Sequence, residues 1–383
     1  GARPTPQTSQ LGPTRCGPTG AATAAFALDV GERMHLARLH RFATGKGQRI
    51  AVIDTGVSRH PSLAGRLVGG GDYLSGGSGL DDCDGHGTAV AGIIAARPPP
   101  GAPGMTGMAP DAEVLSVRQS SNTLTITDRH GAQVSPGNTT TLAMSIVLAV
   151  EQGATVINVS EAACVGAADA PGVGDLMHAA LDYAAERDVV VVAAAGNVAT
   201  DVCAGRDVVS LPGWFDEDVV AVGATDQFDK PATFSFRAPY VDVAAPGSGL
   251  HSLAPGGGYT TKALNGTSFS APWVAGLAAL IRERFPQLTA RQVVERIKAT
   301  ARRPPTGRNA AVGHGVIDPV AALTTPPRAL AANDEQVPRP AATLPGTTPL
   351  PVQPAQRVPY DLVAVGVLVL VSAVAAVRLR RPR

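Results

Sequence analysis

Short apolar runs rich in β-branched residues alternate along most of this chain with segments of helical pattern. The predicted strands cover residues 49–53, 113–117, 155–159, 189–193, 219–223 and 241–243. The predicted helices cover residues 86–95, 140–152, 175–187, 268–285 and 290–300. Such alternation is typical of βαβ units, in which helices cover both faces of a mostly parallel sheet. The sequence therefore predicts a three-layer α/β fold.

Composition limits the classes of function. The chain has 383 residues, of which 44% are hydrophobic and 16% are charged, a globular profile with enough length for a large core. Its formal net charge is only +1, which gives no electrostatic reason to expect nucleic-acid binding. We predict neither a cofactor nor a metal site, because no His/Cys cluster, EF-hand loop or comparable carboxylate cluster is present in the sequence.

Four cysteines are spread widely along the chain, at Cys16, Cys83, Cys164 and Cys203. Four cysteines allow three pairings, and their positions alone do not choose among these. In an exported protein two disulfides are expected, whereas in a cytosolic protein the same residues would be buried thiols.

The C-terminal region predicts a membrane anchor. Residues 362–377 are apolar except for Gly366 and Ser372, and arginines follow them. As a helix this stretch would be about 24 Å long, and Tyr360 and the arginines would extend it toward the roughly 30 Å of a membrane core. The arginines favour a cytoplasmic C-terminus, so we expect a single-pass type I protein in the cell membrane with its main domain outside the cytoplasm. The opening residues contain no apolar signal segment, which we interpret as a processed form of an exported chain.

Four short segments each suit one part of a hydrolytic serine site. IAVIDTG ends a strand at Asp54, and DGHGT introduces His86 between glycines ahead of a helix. VVVVAAAGN delivers Asn197 at a strand end, and NGTSFSAP sets Ser268 near a helix start. A buried carboxylate can orient an imidazole that activates a hydroxyl, and an amide can donate to an oxyanion. Open parallel sheets gather such groups at the carboxyl ends of their strands.

In the order Asp, His, Asn, Ser, these motifs resemble those of the subtilisin-like serine proteases over residues 25–323. The resemblance implies a subtilisin-like fold and a serine endopeptidase acting on protein or peptide substrates. It implies that Ser268 is the nucleophile, His86 the general base and acid, Asp54 the orienting carboxylate and Asn197 the oxyanion donor. It also implies that the substrate cleft is lined by Ser160, Glu161, Ala162, Ala195 and Gly196. Subtilisins usually have Ser-Leu-Gly-Gly where this chain has Ser160-Glu161-Ala162-Ala163. Glu161 is interpreted either as a solvated charge or as a residue that favours particular substrates in the cleft.

A narrower resemblance is to the mycosins, which are membrane-anchored subtilisin-like proteases of mycobacterial type VII secretion. It rests on the N-terminal arm with Cys16, on DDCDGHGT, on VSEAACV, and on the proline-rich linker with its anchor. This resemblance implies the disulfides Cys16–Cys83 and Cys164–Cys203, and the secretion membrane complex as a partner.

The predicted organisation has five parts. An N-terminal extension (1–24) precedes the protease domain (25–323), a proline-rich linker (324–359), a transmembrane helix (360–377) and a basic cytoplasmic tail (378–383). The stretch 118–138 is polar and rich in Ser, Thr and Asn, which predicts a long surface loop or insertion near the substrate cleft. The extension is interpreted as a structural arm, with an inhibitory propeptide as the alternative.

Two other functions compete with an active serine protease. Asp54-Thr55-Gly56 is also the motif of aspartic proteases, but those enzymes need two such carboxylates, and DGHGT and GTSFSAP would then have no role. The second alternative is a structural component of the secretion complex whose proteolysis is weak or dispensable.

Overall fold

The computed structural model describes residues 16, 20, 28–127, 132–198, 203, 205, 207–215, 217–305 and 307–326. Its main strands are β1 (Arg49–Asp54), β2 (Leu67–Asp72), β3 (Glu113–Arg118), β6 (Val156–Val159), β8 (Val190–Ala194), β10 (Val220–Thr225) and β11 (Val243–Pro246). They form one sheet in the order β11-β10-β8-β6-β1-β3-β2, and every neighbouring pair is parallel. The predicted parallel sheet is confirmed.

Two antiparallel pairs lie outside this sheet. One joins β4 (Ile126–Thr127) to β5 (Gln133–Val134), and the other joins β7 (Ala163–Gly166) to β9 (Val208–Leu211). The helices are α1 (Leu28–Arg33), α2 (Leu36–Leu39), α3 (His86–Ala95), α4 (Thr139–Glu151), α5 (Ala170–Glu186), α6 (Ala271–Arg284), α7 (Ala290–Thr300) and α8 (Pro319–Thr324).

Helices cover the sheet on both faces, as the sequence predicts. Side chains of β1 alternate between two cores: Ile50 and Val52 pack with residues of α3 and α6, while Ala51 and Ile53 pack with residues of α4 and α5. All four side chains are fully buried, which explains why β1 is continuously apolar instead of alternating with polar residues. The three-layer α/β prediction is confirmed.

Helices α3 and α7 begin and end at the predicted residues. For α7 the reason is local: Thr289 and Gln292 form the predicted capping box, with side chain and backbone exchanging hydrogen bonds. Helix α5 begins earlier than predicted, at Ala170, because Pro171 stands in its first turn, where no backbone N–H is needed.

Other boundaries correct the sequence prediction. Strand β11 overlaps the predicted 241–243 only at Val243 and continues to Pro246, which an edge strand tolerates. Ser268 lies in a 3₁₀ turn (Thr267–Phe269), and α6 starts after it. The stretch 118–138, predicted as a loop, contains the β4–β5 pair.

No helix in the described ranges is long and apolar enough to cross a membrane. The predicted anchor at 360–377, the linker and the tail lie outside the described residues, as does the N-terminal extension apart from Cys16 and Gly20.

Candidate active site

The carboxyl ends of three adjacent strands bring the predicted residues together. Asp54 is the last residue of β1, Ser160 follows β6, and Asn197 follows β8. Because β1, β6 and β8 are neighbours and parallel, these three ends lie on the same edge of the sheet. Helix α3 presents His86 as its first residue, and the 3₁₀ turn before α6 presents Ser268.

Asp54, His86 and Ser268 are joined by hydrogen bonds. The His86 Nδ1–H donates to Asp54 Oδ1 over 2.7 Å, since a carboxylate can only accept. In this tautomer Nε2 accepts from the Ser268 hydroxyl, with 2.9 Å between Nε2 and Oγ. Asp54 is fully buried, and the ring of Phe269 packs 4.9 Å from the imidazole. The arrangement can therefore remove a proton from Ser268 and hold it on an oriented imidazole.

Two glycines allow His86 to approach Asp54. Gly85 has φ +81° directly before α3, a conformation that side chains disfavour. A Cβ on Gly87 would collide with the Gly56 carbonyl oxygen, so only glycine lets α3 contact the end of β1 this closely. The Gly87 N–H also donates to Thr55 Oγ1 over 3.0 Å. Close backbone packing around the imidazole thus explains the two glycines of DGHGT.

Asp82 supports the same turn, although sequence analysis did not identify it. Its buried carboxylate accepts from Thr55 Oγ1 (2.9 Å), Gly85 N (2.8 Å), Thr88 N (2.8 Å) and Thr88 Oγ1 (2.6 Å). Burial raises the pKa of Asp82 to about 6, against the lowering effect of the Thr88 hydrogen bonds. An acidic residue four positions before His86, ahead of a helix start, was the available sequence signal.

Ser268 is held by hydrogen bonds from two strand ends. Ser160 Oγ donates to the Ser268 carbonyl over 2.7 Å, and Thr267 N donates to Asn197 Oδ1 over 3.1 Å. The hydrogen bond from Thr267 fixes the oxygen end of the Asn197 side chain. A Cβ on Gly266 would lie 3.0 Å from Ser268 Oγ and 3.7 Å from Asn197 Nδ2, so this glycine keeps open a small space between hydroxyl and amide.

The predicted cleft residues occupy different environments. Ala195 is fully buried, and the Gly196 N–H donates over 3.1 Å to Oγ1 of Thr267, the residue before Ser268. Ala162 is exposed. Glu161 is partly exposed, and one of its carboxylate oxygens, one oxygen of Asp54 and one ring nitrogen of His86 all lie within 4.8 Å of one another.

Charge around the imidazole is mainly negative. Burial of the ring opposes protonation, but the attraction and the hydrogen bond of Asp54, with smaller effects of Glu161 and Asp82, raise the pKa of His86 above its ordinary range. Burial and the charge of Asp54 raise the pKa of Glu161, whereas His86 lowers it. The Asp54 Oδ2 atom is buried and has no hydrogen-bond partner among the described atoms.

Both predicted disulfides are present in the structure, Cys16–Cys83 and Cys164–Cys203. The first ties the N-terminal extension to the loop that precedes His86. The residue after Cys83 binds the start of the 118–138 stretch: Asp84 accepts from Ser121 Oγ (2.6 Å) and from the backbone N–H groups of Asn122 (2.6 Å) and Thr123 (2.9 Å). This supports the prediction that the stretch begins near the cleft.

Comparison with known proteins agrees with this geometry. The Subtilase family model, peptidase S8, matches residues 45–315. The chain belongs to the subtilase family. It is 44% identical to Mycosin-4 of Mycobacterium tuberculosis (strain ATCC 25618 / H37Rv) over 311 residues, covering 76% of this chain and 68% of the relative. The predicted resemblance to mycosins, and with it the class of serine proteases, is confirmed.

Three solved structures extend the comparison. The crystal structure of MycP1 from Mycobacterium smegmatis has a TM-score of 0.72 at 38% identity, covering 84% of this chain and 91% of that one. A chain of the intact ESX-5 inner membrane complex has a TM-score of 0.74 at 34% identity, covering 98% of this chain and 96% of that one. A third structure of the same fold is described as the MycP3 protease from the type VII (ESX-3) secretion system, with a TM-score of 0.72 at 36% identity, covering 85% of this chain and 98% of that one.

Besides Asp54, His86 and Glu161, one group of side chains in the described part of the chain has the spacing of metal ligands. His178 Nε2 lies 3.7 Å from Asp182 Oδ1 and 3.9 Å from Asp218 Oδ2, and its ring stacks on Phe215. His178 and Asp182 are more than half exposed, so an ion-pair cluster accounts for the arrangement, and we assign no metal to it. The absence of a metal stays a prediction.

Replacing Asp82 with Asn should loosen the turn that carries His86. The amide nitrogen of Asn would face a donor, so we expect Asp82→Asn to lower the free energy of unfolding by about 2 kcal/mol at pH 8, measured by urea denaturation. The exposed neighbour Asp81 supplies the matched control, because Asp81→Asn should change stability by less than about 0.5 kcal/mol. Equal urea midpoints for the two variants would contradict the role given to Asp82.

Proposed function

We propose that this subtilase is a serine endopeptidase that uses Asp54, His86, Ser268 and Asn197. The continuous hydrogen-bonded path from Asp54 through His86 to the Ser268 hydroxyl carries this proposal. Ser268 Oγ attacks the carbonyl carbon of a peptide bond while its proton passes to His86 Nε2. Asp54 keeps the proton on Nδ1 and stabilises the imidazolium that forms.

The negative charge that develops on the carbonyl oxygen needs donors, and we assign this role to the Asn197 amide. Its support is the space beside Gly266, between Ser268 Oγ and Asn197 Nδ2. The imidazolium then returns its proton to the leaving amine, and an acyl-enzyme remains on Ser268. A water molecule, deprotonated by His86, hydrolyses this ester and regenerates the hydroxyl.

We further propose that the bound peptide runs along Ser160, Glu161, Ala162, Ala195 and Gly196. Their position supports this role, since these residues follow β6 and β8 on either side of the nucleophile's turn. We also propose the five-part organisation predicted from the sequence, in which the protease domain covers residues 25–323.

A fluorophosphonate probe should label the protein at Ser268, because such probes react with an activated serine hydroxyl. Ser268→Ala should abolish labelling. Ser270→Ala is the matched control: Ser270 is also buried and only two residues away, so labelling should persist. Labelling is measured by intact mass and peptide mapping. Folded wild-type protein that takes up no probe would contradict the proposed function.

A role within a secretion complex is the second proposed function. Its support is the similarity, over 98% of this chain, to a chain of the ESX-5 inner membrane complex. We propose that this subtilase acts with a type VII secretion membrane complex, either as its protease or as a structural component whose proteolysis is dispensable.

Secretion by the host strain should separate these two roles. If proteolysis carries the role, Ser268→Ala should reduce export of the secreted substrates as strongly as deletion of the whole gene. If the protein is mainly structural, the Ser268→Ala strain should export normally while the deletion strain does not. Immunoblots of culture filtrate and of the membrane complex measure both outcomes, and normal export by the deletion strain would contradict both roles.

The proposed anchor at 360–377 makes a separate prediction. A chain ending at residue 359 loses the apolar stretch and should be recovered in the soluble extracytoplasmic fraction, whereas the full chain should stay with membranes after alkaline carbonate washing. Equal release of both chains would contradict the single-pass anchor without affecting the proposed chemistry.

A further inference from the structure

Glu161 is the residue at which this chain departs most clearly from the usual subtilisin cleft. It follows β6 directly after Ser160, whose hydroxyl binds the Ser268 backbone. This brings its carboxylate to the catalytic pair: one oxygen of Glu161 lies within 4.8 Å of an oxygen of Asp54 and of a ring nitrogen of His86. An apolar side chain at this position could line the cleft, but it could not act electrostatically on the imidazole.

The charges around this group have a consistent sign. Asp54 at the end of β1 and Asp82 in the loop before α3 act on His86 together with Glu161. Asp54, His86 and, with the smallest effect, Asp84 act on Glu161. Among these described groups only His86 can become a cation. Protonation of the imidazole therefore relieves repulsion between carboxylates, and each ionised carboxylate favours the imidazolium.

The interaction is strongest when proton transfer occurs. Before the reaction His86 is neutral, and Glu161 interacts only with its dipole. When Ser268 transfers its proton, the ring becomes a full positive charge within 4.8 Å of the Glu161 oxygen. Partial burial reduces the screening of this attraction by water.

We propose that Glu161 acts through His86 as a second carboxylate beside the triad, stabilising the imidazolium and setting the pH above which the protease is active. This inference rests on the proposed function, because it takes His86 as the general base. Glu161 breaks no bond and is a positioning residue in this scheme. The charge of Glu161 makes the imidazole more basic and thereby reduces activity at lower pH.

The direction of the pH effect follows from the charge. His86 works as a base only when it is neutral, that is, above its pKa. Because ionised Glu161 raises the pKa of His86, removing that charge should let the imidazole become neutral at lower pH. The acid limb of the pH–rate profile should then move to lower pH, and the plateau rate should fall because the base is weaker.

The experiment measures the second-order rate of inactivation by an uncharged fluorophosphonate across pH, which requires no knowledge of the natural substrate. Glu161→Gln keeps size and removes charge. Its acid limb should move down by about one pH unit, since a close opposite charge shifts a pKa by roughly one to three units and water screens a partly exposed pair. One unit below the wild-type midpoint, the rate of Glu161→Gln, taken as a fraction of its own plateau rate, should be about fivefold that of wild type.

Two further variants control the interpretation. Glu186→Gln makes the same change at the exposed end of α5, where the carboxylate is 75% exposed, and should leave the acid limb in place. Glu161→Asp keeps the charge, so the midpoint of its acid limb should stay close to that of wild type. Circular dichroism and urea denaturation of each variant establish that it is folded.

The outcomes separate this inference from the proposed function. The role of Glu161 is overturned if the acid limb of the Glu161→Gln profile coincides with those of wild type and Glu186→Gln, or if it moves to higher pH. Either result leaves the triad intact. A limb for Glu161→Asp that moves as far as that for Glu161→Gln also overturns the role of Glu161, because shape and not charge would then be responsible. Failure of wild-type protein to react at any pH overturns the proposed function itself.

Discussion

Parallel pairing of β1 with β6, and of β6 with β8, is the interaction on which the rest of the site depends. It places Asp54, Ser160 and Asn197 on one edge of the sheet although they are far apart in sequence. The sheet itself is held by burial on both faces, because side chains of β1 enter two separate helical cores. Helices α3 and α6 then need only a short turn each to bring His86 and Ser268 to that edge.

Several acidic side chains lie in this small region, and hydrogen-bond donors stabilise their negative charges. Asp82 receives two backbone N–H and two hydroxyl hydrogen bonds at the start of α3, and Asp84 receives backbone and hydroxyl donors from residues 121–123. Donors of this kind offset the cost of burying or crowding negative charge. The His86 imidazole thus lies among carboxylates whose negative charges favour its protonated form, and Glu161 is one of them.

The disulfide between Cys16 and Cys83 adds a covalent constraint to the same loop. Cys83 lies between Asp82 and Asp84, so the cross-link joins the N-terminal extension to the segment that holds both the turn before His86 and the start of the 118–138 stretch. Gly20 packs against Ala254 and Tyr259, which continues the attachment of the extension to the protease domain. This attachment agrees with the interpretation of the extension as a structural arm.

Local patterns in the sequence determined a large part of this protein. The continuous apolar runs predicted the central strands, the capping box at Thr289 predicted α7, and the four motifs identified residues that the structure brings together. Strand β2 (LVGGGD) was not predicted, because its three glycines have no strand preference and only pairing with β3 makes it a strand. The hydrogen bond from Thr55 to Asp82 and the proximity of Glu161 to His86 were decided by tertiary structure. Hydrogen bonds and Coulombic interactions depend on distance in space, and the parallel sheet creates those distances by joining strand ends that the sequence keeps apart.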